Sequence, residues 1–350
     1  MEYSNTGHYI NVLGDSHTRS FTHSTNFFSV FIGPGKEVNF TSDSHAQETY
    51  RRIRENVSRM DKSKDLMLVF GEPDNRLYLE NYNGIRDQFS EDAYIVLATD
   101  RFLSVLMNIR NLITGNLIVY NAVPCPRSEQ NFLSMKYNSR LKNLCDNNDI
   151  LFIDIWPQIV NEEGALDERY SVDYIHLNEK AATLVTQILK QNHTLPPGTK
   201  EDADYNWAYF YKLRFGGDEV RIWGDLPANK DKKFQRSEQL RSMVATYISP
   251  QIKNCKKILF LQCAEGFPLY SLPSGPYEVC ATDLDKDRIL QARRLQNFAG
   301  LENVSFVEYE DVQWSDDFDM VVYLEQGDDK LNARFAAVIE KVPARVKLTI

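Results

Sequence analysis

Val12-Leu13-Gly14-Asp15-Ser16-His17-Thr18-Arg19 is the stretch on which the reading of this chain turns. The apolar run Tyr9-Ile10-Asn11-Val12-Leu13 predicts a short buried strand, and Gly14-Asp15 breaks it immediately before a serine. Ser16 is thereby expected at a strand-to-turn junction. In open α/β sheets ligands collect outside the carboxyl ends of strands, so a hydroxyl delivered there faces substrate rather than core. Asp and Ser also favour turns and helix N-caps, and taken alone the tripeptide is more often a plain turn. His17 reads either as a substrate contact or as a solvent-facing imidazole on the first helical turn.

Working outward, short apolar runs alternate with helical patterns. Phe27 to Ile32 reads as a second strand, ended by Gly33-Pro34-Gly35-Lys36, a turn able to aim N–H groups at an anion. Residues 45 to 60 carry Ile53, Val57 and Met60 at helical spacing. Asp65 to Phe70 reads as a buried strand ending in a polar loop, Gly71-Glu72-Pro73-Asp74-Asn75-Arg76. Ser90 to Leu112 is mainly helical, with Tyr94-Ile95-Val96-Leu97 open between helix and strand. Asn116 to Val123 and Ile150 to Asp154 read as strands around a helix from Met135 to Cys145. Such alternation implies parallel crossovers and a layered α/β/α domain.

Asp173-Tyr174-Ile175-His176 precedes the last helical pattern, through Ala181, Leu184, Val185, Ile188 and Leu189. An imidazole can take a serine proton while a nearby carboxylate fixes its tautomer. With Gly14-Asp15-Ser16 after the first strand and Asp-x-x-His before the last helix, residues 8 to 192 resemble the SGNH, or GDSL, hydrolase superfamily. The resemblance implies a flavodoxin-like three-layer fold in which Ser16 is the nucleophile, His176 the general base and Asp173 its orienter, with no cofactor. It also implies an oxyanion hole made by the backbone N–H of Ser16, a loop glycine (Gly33, with Gly35 behind it) and an asparagine of a Gly-x-Asn-Asp block. In that block Gly71 and Asp74 fit, but Pro73 replaces the asparagine, leaving Asn75 and Arg76 as substitute donors. The six histidines show no ligand-spaced pairing, so no metal is expected.

From Gln191 to Tyr205 the chain runs through Leu195-Pro196-Pro197-Gly198, the clearest linker in the sequence. An aromatic-rich segment, 206 to 224 with Trp207 and Trp223, is expected to pack between domains. Beyond a helical pattern from Phe234 to Ser249, Lys257 to Gln262 reads as a strand, Cys263-Ala264-Glu265-Gly266 as a turn, and Tyr277 to Thr282 as a strand ending in Asp283. A helix from Lys286 to Phe298 and strands at Val304 to Val307 and Phe318 to Leu324 repeat a Rossmann-like pattern. An acid ending the second strand can accept both ribose hydroxyls of a nucleoside cofactor.

Residues 234 to 350 thus resemble class I S-adenosylmethionine-dependent methyltransferases. The resemblance implies S-adenosylmethionine as cofactor, Asp283 on its ribose, Glu310 or Asp311 near its adenine, and Gly266 as the surviving glycine of the first loop. Phe260 replaces the family's first-strand acid, and Gln262 and Ala264 its two earlier glycines. The chain ends at Val346 to Ile350, which reads as the fifth strand, so an incomplete or degenerate methyltransferase-like unit is expected. The expected organisation is an SGNH-like domain at 1–192, a connection at 193–233 and a Rossmann-like domain at 234–350.

The chain has 350 residues and a formal net charge of -9, which argues against a dedicated nucleic-acid binder. Its five cysteines lack paired metal spacing and read as reduced thiols of a cytoplasmic protein. No stretch reads as a signal peptide or membrane span. The leading expectation is an esterase or O-acyltransferase acting on an acylated small molecule or glycan. The alternatives are a methyltransferase with an accessory SGNH-like domain and a non-catalytic glycan-binding or assembly module.

Overall fold

The computed structural model describes residues 9–21, 26–32, 40–125, 128–171, 175–192, 243–263, 269, 272–273, 275–299, 302–314, 317–323 and 329–349. The chain divides into two compact units, Met1–Ala228 and Asn229–Ile350. Each has its own parallel sheet.

In the first unit, β1 (Ile10–Gly14), β2 (Phe27–Phe31), β3 (Leu66–Val69), β4 (Leu117–Tyr120) and β5 (Leu151–Ile153) lie in the order β2-β1-β3-β4-β5. All four pairings are parallel. Among the described residues of this unit the helices are α1 (Asp43–Val57), α2 (Glu72–Leu79), α3 (Ile85–Gln88), α4 (Glu91–Arg110), α5 (Ser128–Asp146), α6 (Trp156–Ile159) and α7 (Glu179–Asn192). Val12, Val69 and Tyr120 pack with Ala181, Val185 and Leu189 of α7. Leu13, Leu68 and Val119 alternate with them and are equally buried. Burial on both faces explains why these strands read as unbroken apolar runs rather than alternating ones.

Two readings resolve in favour of helix. Tyr94 to Leu97 belongs to the 20-residue α4, whose first turn is capped by the Ser90 side chain accepting from the Ala93 N–H. A long amphipathic run outweighs a short stretch of strand-like residues. The polar segment after β3, expected as a loop, is the start of α2. Pro73 lies in its first turn, where a missing N–H costs nothing, and Glu72 and Asp74 suit the positive end of the helix dipole.

In the second unit, β6 (Lys257–Leu261), β7 (Glu278–Asp283), β8 (Val304–Glu308), β9 (Phe318–Tyr323) and β10 (Ala344–Thr349) lie in the order β10-β9-β6-β7-β8, again all parallel. Its helices include α8 (Ser249–Ile252), α9 (Lys286–Ala299) and α10 (Asp329–Lys341). Ile258, Phe260 and Val322 pack with Ile252 of α8 and with Ile289 and Ala292 of α9. Leu259, Leu261 and Tyr323 on the other face pack with Phe335 and Ile339 of α10.

The helix expected from Phe234 to Ser249 is described only from Met243, where Val244–Ile248 is a π-helix. Pro250 follows, and a proline ring crowds the carbonyl four residues back, favouring a wider turn. Ser249 supports that turn, its hydroxyl donating to the Val244 carbonyl at 3.1 Å. Among the described residues no helix is long and apolar enough to cross a membrane.

Candidate functional site

The order β2-β1-β3-β4-β5 makes the carboxyl ends of β1 and β3 a topological switch point, where open α/β sheets open a crevice. Gly14 ends β1, and a Cβ there would come within 2.0 Å of the Val69 carbonyl oxygen. Only glycine lets the two strand ends close so tightly. Ser16 then opens a 3-10 helix, Ser16–Phe21, that is buried throughout.

The residues around Ser16 hold that turn themselves. The Asp15 carboxylate accepts the His17 N–H at 2.8 Å, and the Thr18 hydroxyl donates to the Asp15 carbonyl at 2.8 Å. Ser20 donates to the His17 carbonyl at 3.0 Å, and Ser29 of β2 donates to the Thr18 carbonyl at 2.7 Å. These local side-chain bonds satisfy a buried turn that no ladder can serve.

His176 arrives from the segment before α7. An isolated bridge pairs Ser171 with Leu177, and the Asn178 N–H donates to the Tyr170 carbonyl at 2.8 Å. The Asn178 side chain donates to the Arg169 carbonyl at 2.9 Å and accepts the Lys180 N–H at 3.1 Å, opening α7. So held, His176 Nε2 stands 2.8 Å from Ser16 Oγ across 160 residues of sequence. Both are buried, at 6% and 7% exposure. In the tautomer with its proton on Nδ1, His176 accepts the serine hydroxyl, the arrangement a serine–base pair requires. Asp173 lies outside the described residues, as do Gly33 and Gly35.

His17 corrects the solvent-facing reading: it is 2% exposed. Its Nε2 lies 3.4 Å from Glu72 Oε2, while Glu72 Oε1 accepts from Arg76 Nε at 2.9 Å. Burial alone would raise the Glu72 carboxyl, but its bond to His17 and the charge of Arg76 outweigh that and hold it at about 2. Asp15 is pushed up to about 6 by burial, which the nearby His17 only partly offsets. Asp74 is raised well above the carboxylate range by burial, despite accepting the Phe40 N–H at 3.0 Å.

Of the remaining oxyanion candidates, Asn75 and Arg76 have other partners. Gly71 caps α2 with φ of 110°. Asn75 donates from Nδ2 to Ser134 Oγ at 3.2 Å, and Arg76 is engaged with Glu72. Sequence reasoning missed the His17–Glu72–Arg76 chain because it placed Glu72 in a loop. The signal was Pro73 with flanking acids, a helix start that sets Glu72 and Arg76 one turn apart.

In the second unit the switch point lies between β6 and β9. Gln262 follows β6 with φ of 57°, a conformation that favours glycine. Its Nε2 and the Thr282 hydroxyl are buried without partners. Asp283, also buried, ends β7 and accepts the Asp285 N–H at 2.9 Å. Glu310 and Asp311 are exposed in a 3-10 turn, Glu310 facing Lys286 Nζ at 3.5 Å. Gly266 and Ala264 lie outside the described residues.

No protein-family profile and no curated protein matches the chain. Among solved structures it is similar to a GDSL-like lipase from Bacteroides thetaiotaomicron, at 16% identity and a TM-score of 0.39, over 53% of this chain and 86% of the other. It is also similar to a SAM-dependent methyltransferase from Aquifex aeolicus, at 18% identity and a TM-score of 0.24, over 31% of this chain and 66% of the other. Another such structure is PKMT2 from Rickettsia typhi in complex with AdoHcy, at 18% identity and a TM-score of 0.22, over 25% of this chain and 18% of the other. These likenesses concern fold alone.

Proposed function

We propose that the first unit is a serine-dependent ester hydrolase or O-acyltransferase. The observation that carries this reading is the 2.8 Å contact between Ser16 Oγ and His176 Nε2 at the β1/β3 switch point. Ser16 Oγ attacks the ester carbonyl carbon as its proton passes to His176 Nε2. The tetrahedral intermediate collapses, the leaving alkoxide takes that proton, and an acyl-serine remains. Water, or a hydroxyl of a sugar acceptor, then attacks the acyl carbon by the same route in reverse. Asp173 is proposed as the orienter of His176, and the Ser16 N–H as one oxyanion donor. The substrate class is an acylated small molecule or glycan.

A fluorophosphonate should label Ser16, and the native protein should turn over a small acetyl ester. Ser16→Ala should abolish labelling and lower turnover by about a thousandfold or more. Turnover that survives this change would remove Ser16 as nucleophile. A saccharide affinity that persists without Ser16 or His176 would point to a non-catalytic binding module.

For the second unit, the buried and unpartnered Gln262 Nε2 and Thr282 hydroxyl beside Asp283 favour a polar ligand at the ends of β6 and β7. This supports S-adenosylmethionine, with Asp283 accepting from its ribose. The cofactor would supply an electrophilic methyl group. Calorimetric titration with S-adenosylmethionine should give binding that Asp283→Ala removes.

A further inference from the structure

Gln262 carries two features that packing does not account for. It is the first residue past β6, the middle strand of its sheet, and its φ of 57° is a left-handed conformation that a side chain adopts only under strain. The residue is 3% exposed, and its amide Nε2 has no hydrogen-bond partner. An unpaired buried donor destabilises the fold, and a glycine here would carry neither burden. Strain and an unpaired donor that coincide at the carboxyl end of a middle strand mark a residue kept for what it binds.

The register supplies its neighbour. Leu261 pairs with Thr282, so the next positions along the two strands are Gln262 and Asp283, on strands spaced about 5 Å apart. Ile258 and Phe260 of β6 share a core with Val279 and Ala281 of β7 and with Ile289 and Ala292 of α9. In the two-residue alternation of strands, Gln262 and Asp283 extend those same two rows, whereas Thr282 falls in the other row with Cys280. Within one strand spacing the sheet thus offers a carboxylate, which accepts, and an amide nitrogen, which donates. A vicinal diol matches that pair: one hydroxyl donates to the carboxylate while the oxygen of the next accepts from the amide. We propose that Gln262 is a ligand-binding residue of the second unit, its Nε2 donating to one hydroxyl oxygen of a ribose whose other hydroxyl donates to Asp283. The pair selects ribonucleosides over their 2′-deoxy counterparts. This rests on the reading of the second unit as an S-adenosylmethionine site, and adds to it a ribose contact that is held at the expense of stability in the ligand-free protein.

The test is calorimetric titration of the full chain with S-adenosylmethionine, adenosine and 2′-deoxyadenosine, beside thermal melts without ligand. The native chain should bind adenosine about tenfold or more tightly than 2′-deoxyadenosine. Gln262→Leu keeps the bulk and removes the donor, so S-adenosylmethionine and adenosine should each bind about tenfold more weakly and the preference for ribose should narrow. Gln262→Gly should melt at a higher temperature without ligand and still show the same loss of affinity. A merely structural glutamine would not give this opposite movement, because its loss would lower the melting temperature.

S-adenosylmethionine bound equally by the native chain and both variants overturns the proposal and leaves the cofactor reading standing. Adenosine bound only while Gln262 is intact, by a chain that does not bind S-adenosylmethionine, removes the cofactor reading and supports the proposal. Binding of none of the three ligands overturns both. A glycine variant that melts lower also overturns the proposal, since the amide then has a partner in the ligand-free protein. If the leucine variant does not fold, the glycine variant decides.

Discussion

Glu72 is a carboxylate with both oxygens engaged in a buried site, and its acidity makes folding depend on pH. Its folded value is about 2 against 4.5 when free, so between those values the unfolded chain binds more protons. Its contribution is complete above pH 4.5 and is lost as pH falls toward 2. Asp15 runs the other way: its folded value is about 6 against 3.8, so its carboxyl favours folding below 3.8 and loses that effect as pH rises through 6. Urea unfolding of the first unit at a series of pH values should show stability falling below pH 4.5, and Glu72→Gln should flatten that fall. An unchanged acid limb would contradict the ionised, buried Glu72. At this scale Ser16 and His176 were legible in the sequence, because a motif at a strand end and a motif before a helix fix where each side chain emerges. The burial of His17 was not, since it depends on a 3-10 turn held by the hydroxyls of Thr18, Ser20 and Ser29.

At the scale of elements, the decisive junctions are the strand ends. Gly14→Ala would set a methyl group 2.0 Å from the Val69 carbonyl oxygen, and neither backbone can yield without parting β1 from β3. A loss of about 3 kcal/mol or more is expected from such overpacking, measurable as a lower urea midpoint. Fluorophosphonate labelling should fall further than stability alone requires, because the same junction aims Ser16. The mirror case is Gln262, a side chain held at φ of 57° after β6. Gln262→Gly should relieve about 1–2 kcal/mol of left-handed strain, less the extra flexibility glycine gives the unfolded chain. The net gain of about 1 kcal/mol should raise the melting temperature of the second unit by several degrees, while a lower one would show that the buried amide has a partner to lose. Strand positions were readable from apolar runs, whereas the start of α2 was not. Glu72-Pro73-Asp74-Asn75 is polar enough to pass for a loop, and only Pro73 in a first turn tells the two apart.

For the whole molecule, two sheets with separate cores imply two cooperative units, the first with its candidate site at the β1/β3 switch point and the second with its own at the ends of β6 and β7. The boundary read from sequence, a connection at 193–233, is proposed on composition, and the division at Ala228–Asn229 falls within it. A ligand that binds one folded unit stabilises that unit alone, by about 2.7 kcal/mol at a hundred times its dissociation constant. S-adenosylmethionine should therefore raise the melting transition of the second unit and leave that of the first in place. Asp283→Ala should remove the shift, and Ser16→Ala should preserve it. Phosphonate labelling of Ser16 supplies the reciprocal check, since its rate should not respond to S-adenosylmethionine if the coupling free energy between the sites is zero. A labelling rate that changes on saturation with S-adenosylmethionine, and does so only while Asp283 is intact, would instead mean that occupancy of the second site is coupled to the reactivity of Ser16.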